Sequence, residues 1–236
     1  MSKDLTLGIV IPVYNEGNNI LKTLYELKEK VNEYNKIYVV YDFEEDTTLK
    51  ALKGVNLRDY KVSLLKNKYG TGALNAIKTG IEESTEDAVL VVMADLSDDL
   101  SVANKMFDLI KDGYDVVCGS RYIKGGSQIG GPIIKGLLSR LAGISLHYLT
   151  GIPTHDVTNS FKMYSRNALK RINIESTGGF EIGMEITVKT FLNGGKITEV
   201  PSTWKDRSDG KSNFKLFRWL PKYIKWYVYA ILKRYF

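Results

Sequence analysis

Six apolar residues run without a break from Ala88 to Met93, and three carboxylates, Asp95, Asp98 and Asp99, follow within the next six positions. A Val-rich run of this length, bounded by charge, reads as a strand buried on both faces of a parallel sheet. Carboxylates at the carboxyl end of such a strand lie where open α/β sheets bind their ligands. Acids so close together need a cation to coexist, or one of them must hold a proton. A hard cation, Mg²⁺ or Mn²⁺, bridging to a substrate phosphate meets that need. The same acids also read as caps of a helix over 100–111, and this stretch alone leaves both roles open.

The rest of the chain alternates in the same way. Strands are expected over 5–11, 36–41, 61–65, 114–118 and 197–201. Pro12, which has no ladder donor, is expected to end the first. Ile20, Leu21, Leu24, Leu27 and Val31 form one apolar stripe at helical spacing, as do Leu74, Ile77 and Ile81. Strand, helix and strand within about 40 residues make a right-handed βαβ unit. Several strands end in acidic or Gly-rich loops: Tyr14-Asn15-Glu16 after the first, Asp42 after the second, Gly70-Thr71-Gly72 after the third. The architecture suits a nucleotide, but the first turn carries Pro12-Val13-Tyr14-Asn15-Glu16 in place of the dinucleotide Gly fingerprint.

Further on, 125–131 is expected to be a Gly-rich loop, with Pro132 opening a mostly apolar helix that carries Lys135, Arg140 and His147. Residues 154–164 mix polar groups into a strand-like run. Helices are expected over 167–172 and 180–192. At 236 residues the chain is long enough for one large α/β domain, and no linker divides it. The single cysteine, Cys118, excludes an internal disulfide and a Cys-rich metal site; it fits a reducing cytoplasm and reads as a buried structural thiol. Neither a signal peptide nor a stretch of about 20 uninterrupted apolar residues is apparent.

The net charge of +6 is unevenly placed. From Lys205 onward there are nine Lys or Arg against two Asp or Glu, while the remainder has 24 against 25, so the whole basic excess lies in the tail. Nine of the 26 aromatic residues also fall between Phe214 and Phe236. From Pro221 the pattern is helical. Ile224, Tyr227, Val228, Ile231 and Tyr235 share one face, and Lys222, Lys225 and Lys233 the opposite one. This predicts an amphipathic helix lying in a membrane interface, with Trp219 and Trp226 at head-group depth; docking on the protein's own core is the other reading. Confinement of the basic charge to one amphipathic segment, without a recognition motif, argues against nucleic acid.

Taken in order, several pieces resemble the family 2 glycosyltransferases of GT-A fold. They are Ile11-Pro12-Val13-Tyr14-Asn15-Glu16, Asp42 with Asp46-Thr47, Met93-Ala94-Asp95-Leu96-Ser97, Gly119-Ser120-Arg121-Tyr122, Ser139-Arg140, the run from Asp156 to Lys162, Glu199-Val200-Pro201, and Asp206-Arg207 with Gly210-Lys211-Ser212. Within that family the likeness is to the dolichol-phosphate mannose synthase and polyprenyl-phosphate glycosyltransferase branch.

The resemblance implies a mostly parallel sheet flanked by helices, with a catalytic domain over 1–213 and a basic, aromatic, membrane-interfacial tail over 214–236. It implies inverting transfer of a hexose from a nucleotide sugar, GDP-mannose or UDP-glucose, to a polyprenyl phosphate on the cytoplasmic face of a membrane. Pro12, Tyr14, Glu16, Asp42, Ala94 and Asp95 would hold the nucleotide sugar. Arg121, Arg207 and Lys211 would meet its diphosphate, and Arg121 and Arg140 the acceptor phosphate. Asp95 would bind Mg²⁺ or Mn²⁺. The family shows Asp-Ala-Asp where this chain has Met93-Ala94-Asp95, so Asp98 is expected to supply the second carboxylate. Asp156 orients the acceptor, acts as a base toward a hydroxyl acceptor, or anchors a buried network. A saccharide-hydroxyl transferase, or a binding subunit that lost activity with the first acid, are the alternatives that follow.

Overall fold

The computed structural model describes residues 4–206 and 216–236. Its centre is a seven-stranded sheet. The first half comprises β1 (Leu7–Pro12), β2 (Lys36–Tyr41), β3 (Val62–Lys66) and β4 (Ala88–Val91), joined by helices α1 (Asn19–Lys30), α2 (Thr47–Leu52) and α3 (Ala73–Glu83). The second half contains α4 (Ala103–Lys111), β5 (Val116–Ser120), the short β6 (Ser127–Ile129), α5 (Ile133–Thr150), β7 (Lys162–Ser165), α6 (Arg166–Lys170), α7 (Ile182–Leu192), β8 (Ile197–Pro201), β9 (Thr203–Lys205) and α8 (Leu216–Tyr235).

Strand order is β3-β2-β1-β4-β7-β5-β8, and all pairings are parallel except those of β7, which runs against both β4 and β5. The order reverses between β1 and β4, so the crevice outside their carboxyl ends is the natural ligand site. The reversed β7 brings its amino end to that same edge, and the loop that precedes it, 154–161, therefore enters the site.

The sheet is covered on both faces. Leu7, Ile9, Ile11, Val39 and Leu90 pack beneath α1 and α4, while Val10, Val40, Val89 and Val91 meet α3 and α7. All six residues of β1 and all four of β4 are buried, as the unbroken apolar runs require.

Pro12 ends β1 as expected, as its last residue, where its missing donor costs no interior ladder bond. Three details differ from the sequence expectation. Strand β4 stops at Val91, and the turn that follows carries Leu96 at a left-handed φ of 58°. The Gly-rich 125–131 stretch contains β6, paired in parallel with β9. Helix α8 starts at Leu216, placing Pro221 inside it. There Pro221 interrupts the hydrogen-bond ladder within the first two turns.

The tail faces also turn out differently. Trp226 and Ala230, four apart, are buried on the core, and Trp226 Nε1 donates to Ser176 Oγ at 2.9 Å. Trp226 is thus an anchor of α8 on the body and does not lie at head-group depth. The exposed apolar residues of α8 are Ile224, Val228, Leu232 and Tyr235. Tyr227 pairs with Ser145 of α5 through their hydroxyls at 2.8 Å, and Tyr235 donates to the Leu149 carbonyl.

Helix α3 lies so close to β1 that a Cβ at Gly80 would run into the Val10 side chain. Gly80→Ala is expected to lower stability by about 1–2 kcal/mol in urea denaturation, overpacking outweighing the better helix propensity of Ala.

Candidate active site

The site is assembled from loops at one edge of the sheet. On its left, the turn after β1 is stapled to the start of α2. Asp46 is fully buried and caps α2, accepting the Thr48 N–H at 2.8 Å and the Asn15 N–H at 3.1 Å. Asn15 Oδ1 accepts the Thr47 N–H in return, and Thr48 Oγ1 accepts the Glu16 N–H, both at 3.1 Å. These bonds hold Asn15 at a left-handed φ of 54° and fix Tyr14 and Glu16. Tyr14 is about half exposed, 53%, with its ring edge-on to Phe43 at 5.7 Å, which leaves one aromatic face open. Pro12 beneath is buried in β1. Asp42 closes this side. Its two oxygens accept Asn67 Nδ2 and the Gly72 N–H, each at 2.8 Å, tying the loop after β3 to the end of β2.

In the middle lies the acidic loop after β4. Asp95 Oδ1 accepts the Ser97 N–H at 3.1 Å, and Asp99 caps the turn that leads into α4 through Ser101. The left-handed Leu96 costs about 1–2 kcal/mol for a residue with a Cβ, and its neighbours hold it there. Thr23 of α1 donates to the Ala94 carbonyl at 3.1 Å. Strand β9 grips the other side, with Lys205 N–H on the Ser97 carbonyl at 2.9 Å and Asp99 N–H on the Thr203 carbonyl at 3.2 Å.

This grip buries Asp98, only 8% exposed. Its carboxyl is pushed up to about 7, first by burial and then by the negative charge of Asp95, with Asp156 adding and Arg121 and Lys162 opposing. A buried acid facing the charge of a second acid is an arrangement that a cation would relieve. Their hard oxygens fit Mg²⁺ or Mn²⁺. Among the described residues no group of three or more His, Cys, Asp or Glu is arranged to hold a metal. Asp95 and Asp98 could hold such an ion only with further ligands from outside the described side chains.

On the right is a buried ion pair. Arg121, at the end of β5, reaches Asp156 with Nε at 2.7 Å and Nη2 at 2.8 Å, and its own backbone N–H donates to the same carboxylate at 3.0 Å. Asp156 is fully buried. Against the effect of burial, Asp156 holds the guanidinium above its ordinary range, and it stays charged. The pair extends to α5: Arg121 Nη2 and Tyr122 Oη both lie 2.8 Å from Ser139 Oγ, which is 2.5 Å from Thr158 Oγ1. Arg140, next to Ser139, is exposed.

Two supports of this corner lie in motifs that carry the family resemblance, but the order of residues does not show what they hold. Lys162 of β7 is fully buried, and its Nζ donates to the Val157 and Asn159 carbonyls, with burial lowering its pKa. Glu199 of β8 accepts His155 N–H at 2.8 Å, Thr154 Oγ1 at 3.1 Å and His155 Nδ1 at 2.5 Å. Cys118 is buried, with burial raising its thiol to about 11, in keeping with a structural role. Arg207 and Lys211 lie outside the described residues.

The structure thus brings Tyr14, Glu16 and Asp42 to one side, Asp95 and Asp98 to the centre and Arg121 with Asp156 to the other. Comparison with known proteins shows the family of the chain. The model of "Glycosyl transferase family 2" matches residues 8–172. The chain belongs to glycosyl transferase family 2. A dolichol-phosphate mannosyltransferase of Pyrococcus furiosus is 28% identical over 233 residues, which cover 94% of this chain and 64% of that protein. The chain thus spans a little under two thirds of that relative's length. The polyprenol monophosphomannose synthase of Mycolicibacterium smegmatis is 29% identical over 212 residues, covering 86% of this chain and 79% of the relative.

In fold, this family 2 chain is similar to the glucosyl-3-phosphoglycerate synthase of Mycobacterium tuberculosis, crystallised with Mn²⁺, UDP and glucosyl-3-phosphoglycerate. The TM-score is 0.70 at 16% identity, over 98% of this chain and 80% of the other. The GT-A architecture expected from the resemblance is therefore the one observed.

Because Asp98 binds a proton more tightly folded than unfolded, its ionisation opposes folding, and that opposition grows as pH rises from about 4 to 7. In metal-free protein, Asp98→Asn is therefore expected to be stabilising, by about 1–3 kcal/mol more at pH 8 than at pH 5, in paired denaturant titrations.

Proposed function

We propose that this glycosyltransferase moves a hexose from a nucleotide diphosphate sugar to a polyprenyl phosphate, inverting the anomeric carbon, with mannose from GDP-mannose favoured over glucose from UDP-glucose. The observation that carries the reading is the corner where Arg121 and Ser139 meet α5. A buried cationic and hydroxyl cluster adjoins a helix whose other side exposes Ile133, Ile134, Leu137 and Leu141, at 87%, 67%, 57% and 56%. A phosphate with a hydrocarbon chain has those two parts.

In this reading Tyr14 stacks on the base, and Glu16 and Asp42 accept hydrogen bonds from base or ribose, with Pro12 and Ala94 forming the floor. Asp95 and Asp98 hold Mg²⁺ or Mn²⁺, which supplies positive charge to the diphosphate. Arg207 and Lys211 add to that charge. A phosphate oxygen of the acceptor attacks the anomeric carbon while the bond to the nucleotide diphosphate breaks on the opposite side. The phosphate is already largely ionised near pH 7, so no strong base is required. Asp156 then orients Arg121, to which both its oxygens are committed, and Arg121 and Arg140 receive the acceptor phosphate.

The lipid acceptor places the enzyme at a bilayer, on its cytoplasmic face. Helices α5 and α8 contain no Asp or Glu and seven Lys or Arg: Lys135, Arg140, Arg218, Lys222, Lys225, Lys233 and Arg234. They pack together, and each exposes apolar residues on a helix whose only charges are basic, which in this reading suits anionic lipid. Among the described residues no helix is long and apolar enough to cross a membrane.

Transfer of radiolabelled sugar to a short polyprenyl phosphate in detergent, with and without Mn²⁺, tests the chemistry. Metal-dependent lipid-linked product is expected, and Asp95→Ala is expected to reduce kcat/KM about 10²-fold or more. Sugar appearing on saccharides but not on lipid would replace this acceptor, and nucleotide binding without any transfer would point to a binding subunit.

The surface is tested separately. Leu137→Glu with Leu141→Glu is expected to cut co-sedimentation with phosphatidylglycerol vesicles about tenfold or more, a charge in the interface being costly.

A further inference from the structure

Helix α5 has two working sides. Its outward side is the apolar surface just described. Its inward side presents Ser139, Gly143 and His147, each four residues from the next, to the loop 154–158 that carries Asp156. Ser139 Oγ holds Arg121 and Thr158. At Gly143 the helix backbone lies directly on the loop, and a Cβ there would run into the His155 carbonyl. His147 stacks on His155, ring centroids 4.0 Å apart, and these are the only two histidines in the chain.

Apart from α8, which bonds to it through Tyr227 and Tyr235, little else seats this helix. Of its 18 residues only Gly143, Leu146 and Thr150 are buried, so Leu146 is its one large apolar side chain in the core. A helix with so few buried apolar contacts belongs to the low-stability part of a fold. Its position over the active-site loop then rests on α8, on a few polar contacts and on whatever covers the rest of its outer face.

We propose that α5 couples bilayer contact to the geometry of Arg121 and Asp156, with Gly143 and His147 as positioning residues. Lipid covering the outer face holds the helix down on its seat; the seated helix fixes loop 154–158 and keeps Ser139 against Arg121. By linkage, whatever the bilayer gains from the seated state the loop gains in order, and a ligand that fixes the Arg121 corner tightens binding to the bilayer by the same factor. This rests on the proposal that α5 and α8 meet a membrane, and goes beyond it by making the membrane part of the active site's assembly.

The test is hydrogen–deuterium exchange of the full chain, with and without vesicles of phosphatidylcholine and phosphatidylglycerol free of polyprenyl phosphate. Residues Thr154, Asp156, Val157 and Asn159 are buried beneath α5, so lipid does not touch them. Their peptides are expected to exchange about fivefold or more slowly when vesicles are bound, the lower end of usual coupling factors. Gly143→Ala is expected to keep vesicle binding and lose this slowing. Should that variant not fold, His147→Ala, which removes the stacked ring without adding bulk, carries the same expectation. Vesicles that bind and slow α5 alone would overturn the coupling and leave the membrane surface standing. An absence of vesicle binding would overturn both.

Discussion

The buried pair of Arg121 and Asp156 is the constraint on which the functional half of this molecule depends. Three chain segments meet in it: the end of β5, the loop before β7, and, through Ser139, helix α5. A carboxylate with no exposure is costly unless it is paired and hydrogen-bonded, and this one accepts three N–H bonds from a single residue. Removing either partner would strand a charge in the interior. The pairing also sets the field around the acids after β4, because Arg121 and Lys162 oppose the charges that Asp95 and Asp156 impose on Asp98.

Reversal of one strand makes this geometry possible. If β7 ran parallel, the loop that bears Asp156 would emerge at the opposite edge of the sheet. Running antiparallel between β4 and β5, it delivers that loop beside the acids after β4 and the arginine after β5. Lys162, buried in β7, then holds the loop's carbonyls from below. The family 2 match, over residues 8–172, covers β4, β5, β7 and the loop between them.

The parts of this design legible in the sequence are those written in local pattern. Strands β1, β2 and β4 announce themselves as apolar runs, and the acids at their ends follow from the rule for open sheets. What escaped depends on partners distant in the chain. Nothing in the order of residues shows that Asp46 reaches back 31 positions to Asn15, or that Glu199 closes on His155 across 44. Strand β6, three residues in a Gly-rich stretch, exists because β9 pairs with it. In the tail the aromatics lie on several sides of one helix, and periodicity cannot say which of them the body claims. Docking on the core takes Trp226 and Ala230 and leaves Ile224, Val228 and Leu232 outside.

Strand β9 is three residues long, yet it is fastened on both flanks. Thr203 and Lys205 bond to the acidic loop after β4, and Ser127 to Ile129 pair with it from the other side; the Asp206 N–H reaches the Ile129 carbonyl at 2.9 Å. Its register is therefore locked to the backbone that carries Asp98. For anyone recombining parts between related transferases, this fixes where a splice is tolerable. A junction or a length change between Pro201 and Asp206 would drag Asp95 and Asp98 out of place, whereas a foreign segment joined after Asp206 leaves the crossbeam intact.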